Sequence, residues 1–166
     1  VDFKKALDSL EKKNIKGLIL DVRNNGGGYL NVVKNISDRL LGQGVIVYTK
    51  DNKGNKDYLR SDDKEKVDIP IAILTNEYSA SASEILTGAI VDNKAGISIG
   101  KTTYGKGLVQ SVVQLKDGSG YKLTTAQYFT PNGDYINKKG IKANIEVKDE
   151  KKQLPKAVEY IKEKIK

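Results

Sequence analysis

The sequence predicts an α/β domain built on a mixed sheet with flanking helices. Apolar runs of strand length alternate with stretches whose apolar residues recur at helical spacing. Glycine-rich or polar turns separate them. Strand pairs joined by short turns add antiparallel pairing to the parallel kind that alternation implies.

Taken in order, Asp2–Lys13 has helical spacing, with Phe3, Leu7 and Leu10 on one face. Gly17–Val22 (GLILDV) reads as a buried strand, followed by a glycine-rich turn over Asn24–Gly28. Tyr29–Leu41 is an amphipathic helix closed by Gly42. Val45–Thr49 and Asp57–Arg60 are short strands about a turn at Gly54, and Ser61–Val67 is a charged exposed loop. Ile69–Leu74 is a strand, Ser81–Asp92 a helix, and Gly96–Gly100 another strand. Leu108–Leu115 and Tyr121–Phe129 pair through a turn at Asp117–Gly120. Pro131–Gly133 is a turn and Leu154–Ile165 a closing helix. The 166 residues suit one domain, residues 1–166, with no internal repeat or linker.

Composition excludes several chemistries. There is no histidine and no cysteine. A Ser-His-Asp or Cys-His mechanism cannot operate within this chain, and a zinc site of the usual nitrogen and sulfur ligands cannot form. No EF-hand spacing is present, so no metal and no cofactor is expected. The net charge is +8, carried almost entirely by scattered lysines. With no arginine stripe and no nucleic-acid motif, this reads as a solvated surface, and no nucleic-acid partner is expected. The apolar stretches are much shorter than the roughly 20 residues a bilayer span needs. The chain begins at Val1 and contains no methionine, so it reads as a piece of a longer protein.

Two strand–turn–helix units could carry chemistry: ILDVRNNGGGYLNVV and IAILTNEYSASASEIL. Such turns present backbone N–H groups at a helix N-terminus, which can bind a phosphate or an oxyanion. The phosphate spacings fail. Asn31 stands where a dinucleotide fingerprint needs a third glycine, Gly107 follows Gly105-Lys106 where a P-loop needs Ser or Thr, and Ala95 breaks the alternative P-loop frame. Ser81-x-x-Glu84 is a capping box, so Ser81 taken locally could simply cap its helix. Lys106 taken alone is a turn lysine.

Taken together, NEYSASASEI and the YGKG turn 25 residues after Ser81 resemble the C-terminal processing (tail-specific) protease family, Ser–Lys peptidases of family S41. LILDVRNNGGG resembles that family's strand and D-x-R-x-N-P-G-G turn, and TTAQYFTPNGDYINKKGIKANIEV its later strand and G-I-x-P-D segment. Gly26 replaces the usual proline, Tyr104 a common phenylalanine, and Ala143-Asn144 the usual Pro-Asp. The resemblance implies a ClpP/crotonase-like core. It also implies a PDZ domain and helical segments, which nothing in these 166 residues resembles. Membrane association would have to come through such segments.

By the same resemblance, Ser81 is the nucleophile and Lys106 the base. Ala82 and either Gly27 or Gly28 supply the oxyanion hole, and Gln110 orients the lysine. The chemistry is coherent. A serine hydroxyl needs a base, and a lysine serves only when neutral, which burial favours. Tyr104 and Leu108 are the expected apolar cover, and a direct Ser81–Lys106 hydrogen bond is expected. Gln110 lies four residues past Lys106, an even offset that on a strand shares its face. Asp92 lies 11 residues past Ser81 on one helix, roughly 16 Å away, and is read as structural. The expected partner is a polypeptide, cut near its C-terminus, in the bacterial cell envelope or outside the membrane. Two alternatives stay open: a crotonase-like acyl-transfer site using the first glycine turn, and a non-catalytic core fragment or binding module.

Overall fold

A computed structural model describes residues 3–62, 64 and 66–165. The elements are α1 (Phe3–Glu11), β1 (Leu18–Asp21), α2 (Leu30–Leu40), β2 (Gly44–Asp51), β3 (Lys56–Ser61), β4 (Ile71–Thr75), α3 (Ala82–Asp92), β5 (Gly96–Gly100), β6 (Leu108–Gln114), β7 (Gly120–Phe129), β8 (Ile145–Glu146) and α4 (Glu150–Lys164). The Asp2 start predicted for the first helix, and Asp63 and Glu65 of the charged loop, lie outside the described residues.

The α/β class holds, and the mixture of strand directions is resolved into two sheets. One is parallel, in the order β1-β4-β5-β8. The other is antiparallel, in the order β3-β2-β7-β6. β4 is an inner strand buried at every position, because both its faces are covered. Ile71 and Ile73 enter one cluster with Val33, Leu40, Ile46, Ile85 and Ile90. Ala72 and Leu74 point the other way, to Ile99 and to Ala157 and Ile161 of α4. α3 is apolar on nearly all sides, and every residue from Ser83 to Ile90 is buried. No described helix is long and apolar enough to cross a membrane.

The loop expected to be exposed over Ser61–Val67 is buried at both ends, since Ser61 belongs to β3 and Val67 packs into the core. Two further elements depart from expectation. α4 begins at Glu150, not Leu154, because Asp149 caps it by accepting the Lys151 N–H at 3.0 Å. Its first turn, Glu-Lys-Lys, carries no apolar periodicity to announce it. β8 is only two residues long and exists through its pairing with Ile99 and Gly100 of β5.

The parallel arrangement brings the carboxyl ends of β1 and β4 side by side, with Asp21 opposite Leu74. The loops leaving these ends, 22–29 and 76–81, are therefore neighbours, where open α/β sheets commonly place their sites.

Candidate active site

The two loops are joined by buried polar side chains. Asn76, wholly buried, accepts the Asn24 N–H (3.0 Å) and the Tyr78 N–H (3.1 Å) through Oδ1. Its Nδ2 donates to Asn24 Oδ1 at 2.9 Å and Glu150 Oε1 at 3.2 Å. Ser79 donates its hydroxyl to the Val22 carbonyl at 2.8 Å and accepts the Asn76 N–H at 3.0 Å. Ser83 donates to the Asn25 carbonyl at 3.0 Å. The outer serines of Ser-Ala-Ser-Ala-Ser are thus spent on holding the first loop. Ser81, between them, is part-exposed and has a positive φ of 56°. A non-glycine residue in that region is strained, and such strain collects at functional turns.

Gly27 lies against this serine. It has φ 101°, and a Cβ on it would sit 2.8 Å from Ser81 Cβ, 2.8 Å from Ala82 N and 2.7 Å from Ala80 O. Only glycine permits that approach. Gly28 has open space at the same point. The Gly27 N–H donates to Asn25 Oδ1 at 2.9 Å. The amides of Gly28 and Ala82 have no hydrogen-bond partner among the described residues. An apolar cavity of about 240 Å³ opens beside them, lined in part by Leu20, Val22, Gly27, Gly28, Ala82 and Leu86.

Lys106 sits in a turn held against the start of α3. Glu84, wholly buried, accepts the Ser81 N–H (2.9 Å) and the Lys106 N–H (2.8 Å) on Oε2. On Oε1 it accepts the Gly105 N–H (2.7 Å) and the Thr103 hydroxyl (2.5 Å). The capping box expected from Ser81-x-x-Glu84 is therefore present. Ser81 itself lacks the extended backbone of an ordinary N-cap, having ψ −117°. From the other side, Lys138 N donates to Gly105 O at 2.8 Å, and Thr103 Oγ1 accepts the Ile141 N–H at 2.7 Å.

The expected burial of Lys106 is corrected by this arrangement. Lys106 is exposed and Tyr104 is 64% exposed, whereas Thr103, Gly105 and Gly107, which alternate with them along the turn, are buried. No hydrogen bond joins Ser81 Oγ to Lys106 Nζ; the two residues meet through their backbones. The even-offset argument for Gln110 also lapses, since Lys106 precedes β6 and a register shift falls between Val109 and Gln110. Gln110 is exposed, and its amide donates to Thr124 Oγ1 at 3.4 Å. Asp92 stands at the end of α3 and accepts the Asn132 N–H at 2.9 Å, fixing the Pro131–Gly133 turn in the structural role expected of it.

Two groups near the site escaped sequence reasoning. Arg23 pairs with Asp21 and reaches α4 through the Glu150 carbonyl (3.0 Å) and Gln153 Oε1 (3.2 Å). The Arg23 hydrogen bond holds the Asp21 carboxyl below its ordinary range, and the Arg23 guanidinium is raised by the same bond. In the sequence Asn76 stands out only as part of a motif; an asparagine directly after an apolar strand is the signal that marks it. Among the described residues no group of His, Cys, Asp or Glu side chains could hold a metal ion.

Residues 1–147 match the sequence profile of Peptidase family S41. The chain belongs to peptidase family S41. It is 44% identical over 149 residues to carboxy-terminal processing protease CtpB of Bacillus subtilis (strain 168), covering 89% of this chain and 31% of that protein. It is 42% identical over 147 residues to the chloroplastic C-terminal processing peptidase of Tetradesmus obliquus, covering 87% of this chain and 32% of that one. The S41 chain thus spans about a third of the length of these relatives. A solved photosystem II D1 C-terminal processing protease superimposes with a TM-score of 0.84 at 40% identity, over 89% of this chain and 38% of that structure. Mature CPAF, at 15% identity and a TM-score of 0.72, shares the fold.

Proposed function

We propose that this chain is the catalytic core of a serine endopeptidase in which Ser81 attacks the scissile carbonyl and Lys106 acts as base. The observation that carries the reading is the meeting of Ser81, on its strained turn, with the Lys106 turn at one buried carboxylate. Neutral Lys106 takes the Ser81 proton as Oγ bonds to the carbonyl carbon. The ammonium returns a proton to the leaving amine, and water hydrolyses the acyl-enzyme by the same route. The exposed Lys106 side chain must swing over Ser81 in the competent state, and Gln110 is proposed to orient it there.

The oxyanion donors in this proposal are the amides of Ala82 and Gly28. Neither has a hydrogen-bond partner among the described residues, whereas the Gly27 N–H donates to Asn25. Gly27 then serves as the close-packing residue beside them. The apolar cavity next to Ala82 is proposed to take an apolar substrate side chain at the cut. The substrate is proposed to be a polypeptide cut near its C-terminus, as the names of the relatives state for those proteins. A PDZ domain elsewhere in the full protein and a place in the cell envelope or outside the membrane belong to the same proposal. The test is labelling with a fluorophosphonate followed by mass mapping. A label on Ser81 that disappears in Ser81→Ala supports the reading. A folded protein that takes no label there favours the inert-core alternative.

A further inference from the structure

Glu84 is a wholly buried carboxyl group that forms no ion pair among the described residues. Its two oxygens have room for about four acceptor sites, and four donors occupy them. Such a carboxylate has no lone pair left for substrate. The donors come from the serine turn and from every residue of the lysine turn that can reach, Thr103, Gly105 and Lys106. No other side chain within the described residues bonds both turns.

We infer that Glu84 is the positioning residue of the site: its charge sets where Lys106 stands relative to Ser81. The inference rests on the Ser–Lys reading. Thr103 is the second part of the device. Its hydroxyl proton goes to Glu84 while its oxygen accepts the Ile141 N–H, so it locks the carboxylate's partner turn against residues 138–141. A Cβ at Gly140 would lie 2.2 Å from the Thr103 carbonyl, and one at Gly105 would lie 3.0 Å from the amides of Lys138 and Lys139, so the turn has no room to drift that way. A glutamine at position 84 keeps the shape but turns an NH₂ group toward two N–H or O–H donors. At the Oε2 place that NH₂ faces the Ser81 and Lys106 N–H groups, so each turn loses a bond; at the Oε1 place it faces the Gly105 N–H and the Thr103 hydroxyl, so the lysine turn keeps only its Lys106 N–H bond.

The test uses the full-length protein carrying Glu84→Gln, Thr103→Val or Thr103→Ser, with Ser81→Ala as control and the folded fraction measured by thermal melts. The readouts are the fluorophosphonate labelling rate per folded molecule, and kcat and KM for a peptide. Hydrogen bonds to a charged group are strong enough that Glu84→Gln is expected to slow labelling and kcat by about tenfold or more, with KM held within about twofold. Thr103→Val is expected to lose about three- to tenfold and Thr103→Ser to restore the rate. A simply structural residue would lower the folded fraction and leave the rate per folded molecule unchanged. Wild-type labelling by folded Glu84→Gln overturns the inference. If Glu84→Gln does not fold, the threonine pair decides: equal rates in Thr103→Val and Thr103→Ser overturn it, and a slow valine with a restored serine variant supports it. Failure of the Ser–Lys reading looks different, since Ser81→Ala would then keep its cleavage, and that result overturns both.

Discussion

Ser81 and Lys106 donate their backbone N–H groups to one and the same oxygen, Oε2 of Glu84, at 2.9 and 2.8 Å. Residues 25 apart in the chain are thereby brought within two hydrogen bonds of each other, although no hydrogen bond joins their side chains.

Backbone strain at Ser81 leads to the first prediction. Ser81→Ala and Ser81→Gly both abolish labelling and cleavage. Glycine tolerates φ 56° and alanine does not, so Ser81→Gly is the more stable of the two by about 1 kcal/mol. Urea melts of the pair measure the difference. A glycine variant less stable than the alanine variant would show that the turn is unstrained.

The two adjacent glycines should respond differently. Gly27→Ala places a methyl group at 2.7–2.8 Å from three atoms of the serine turn, in a backbone region alanine avoids. It is expected to cost about 2 kcal/mol or more and to abolish Ser81 labelling. Gly28→Ala meets nothing within 4 Å, keeps its N–H, and is expected to stay within about 0.5 kcal/mol of wild type with labelling retained. Equal behaviour of the two variants would refute the assignment of close packing to Gly27.

Much of this was legible in the sequence, for identifiable reasons. Nearly every strand and helix carried an apolar period long enough to read. The Ser81 and Lys106 turns carried motifs whose order is specific. What could not be read depended on contacts distant in the chain. β8 exists through β5; the first turn of α4 is the local exception, capped by the adjacent Asp149 but carrying no apolar period to announce it. The four-donor role of Glu84 needs Thr103–Lys106 to fold back onto it, which the local Ser-x-x-Glu pattern does not contain. The even-offset argument for Gln110 fails because parity along a strand does not carry across a bulge.

Stability should depend on pH through Asp21. Its carboxyl is lowered in the folded state by Arg23, so the contribution is present above the unfolded value near 3.9 and is lost as pH falls through the lower folded value. Because Asp21 is half-exposed, the loss amounts to less than about 1 kcal/mol. Comparing melts at pH 7 and pH 3 for wild type and Asp21→Asn isolates it. An unchanged pH dependence in Asp21→Asn would place the acid sensitivity elsewhere.

Arg39 provides a test on the far side of the core. It is buried and binds Asp8 Oδ1 at 2.7 Å and Glu11 Oε2 at 2.6 Å, tying α1 to α2. Removing the cation leaves two part-exposed carboxylates that water can solvate, so Arg39→Met should cost only about 1–2 kcal/mol. Removing both acids with Asp8→Asn and Glu11→Gln weakens the pairing of a buried guanidinium and should cost more. Chemical denaturation of the two variants ranks them, and the reverse order would contradict the burial argument.

The activity itself should climb with pH, because a lysine base works only once its proton is gone. The profile of kcat/KM against pH for a short peptide reads this directly. An ascending limb near pH 4 would point to a carboxylate base and defeat the Ser–Lys assignment.

α3 holds a turn at each end: the Lys106 turn through Glu84 and the Pro131–Gly133 turn through Asp92. The two carboxylates are eight residues apart, roughly 12 Å of helix and about 80° of rotation. Inserting or deleting one residue between them would rotate one anchor by about 100° relative to the other. The helix therefore acts as a gauge of fixed length. Changes in chain length among descendants of this sequence must accumulate elsewhere, and the solvent-exposed tip at Asp117–Gly120 can absorb them without disturbing either anchor.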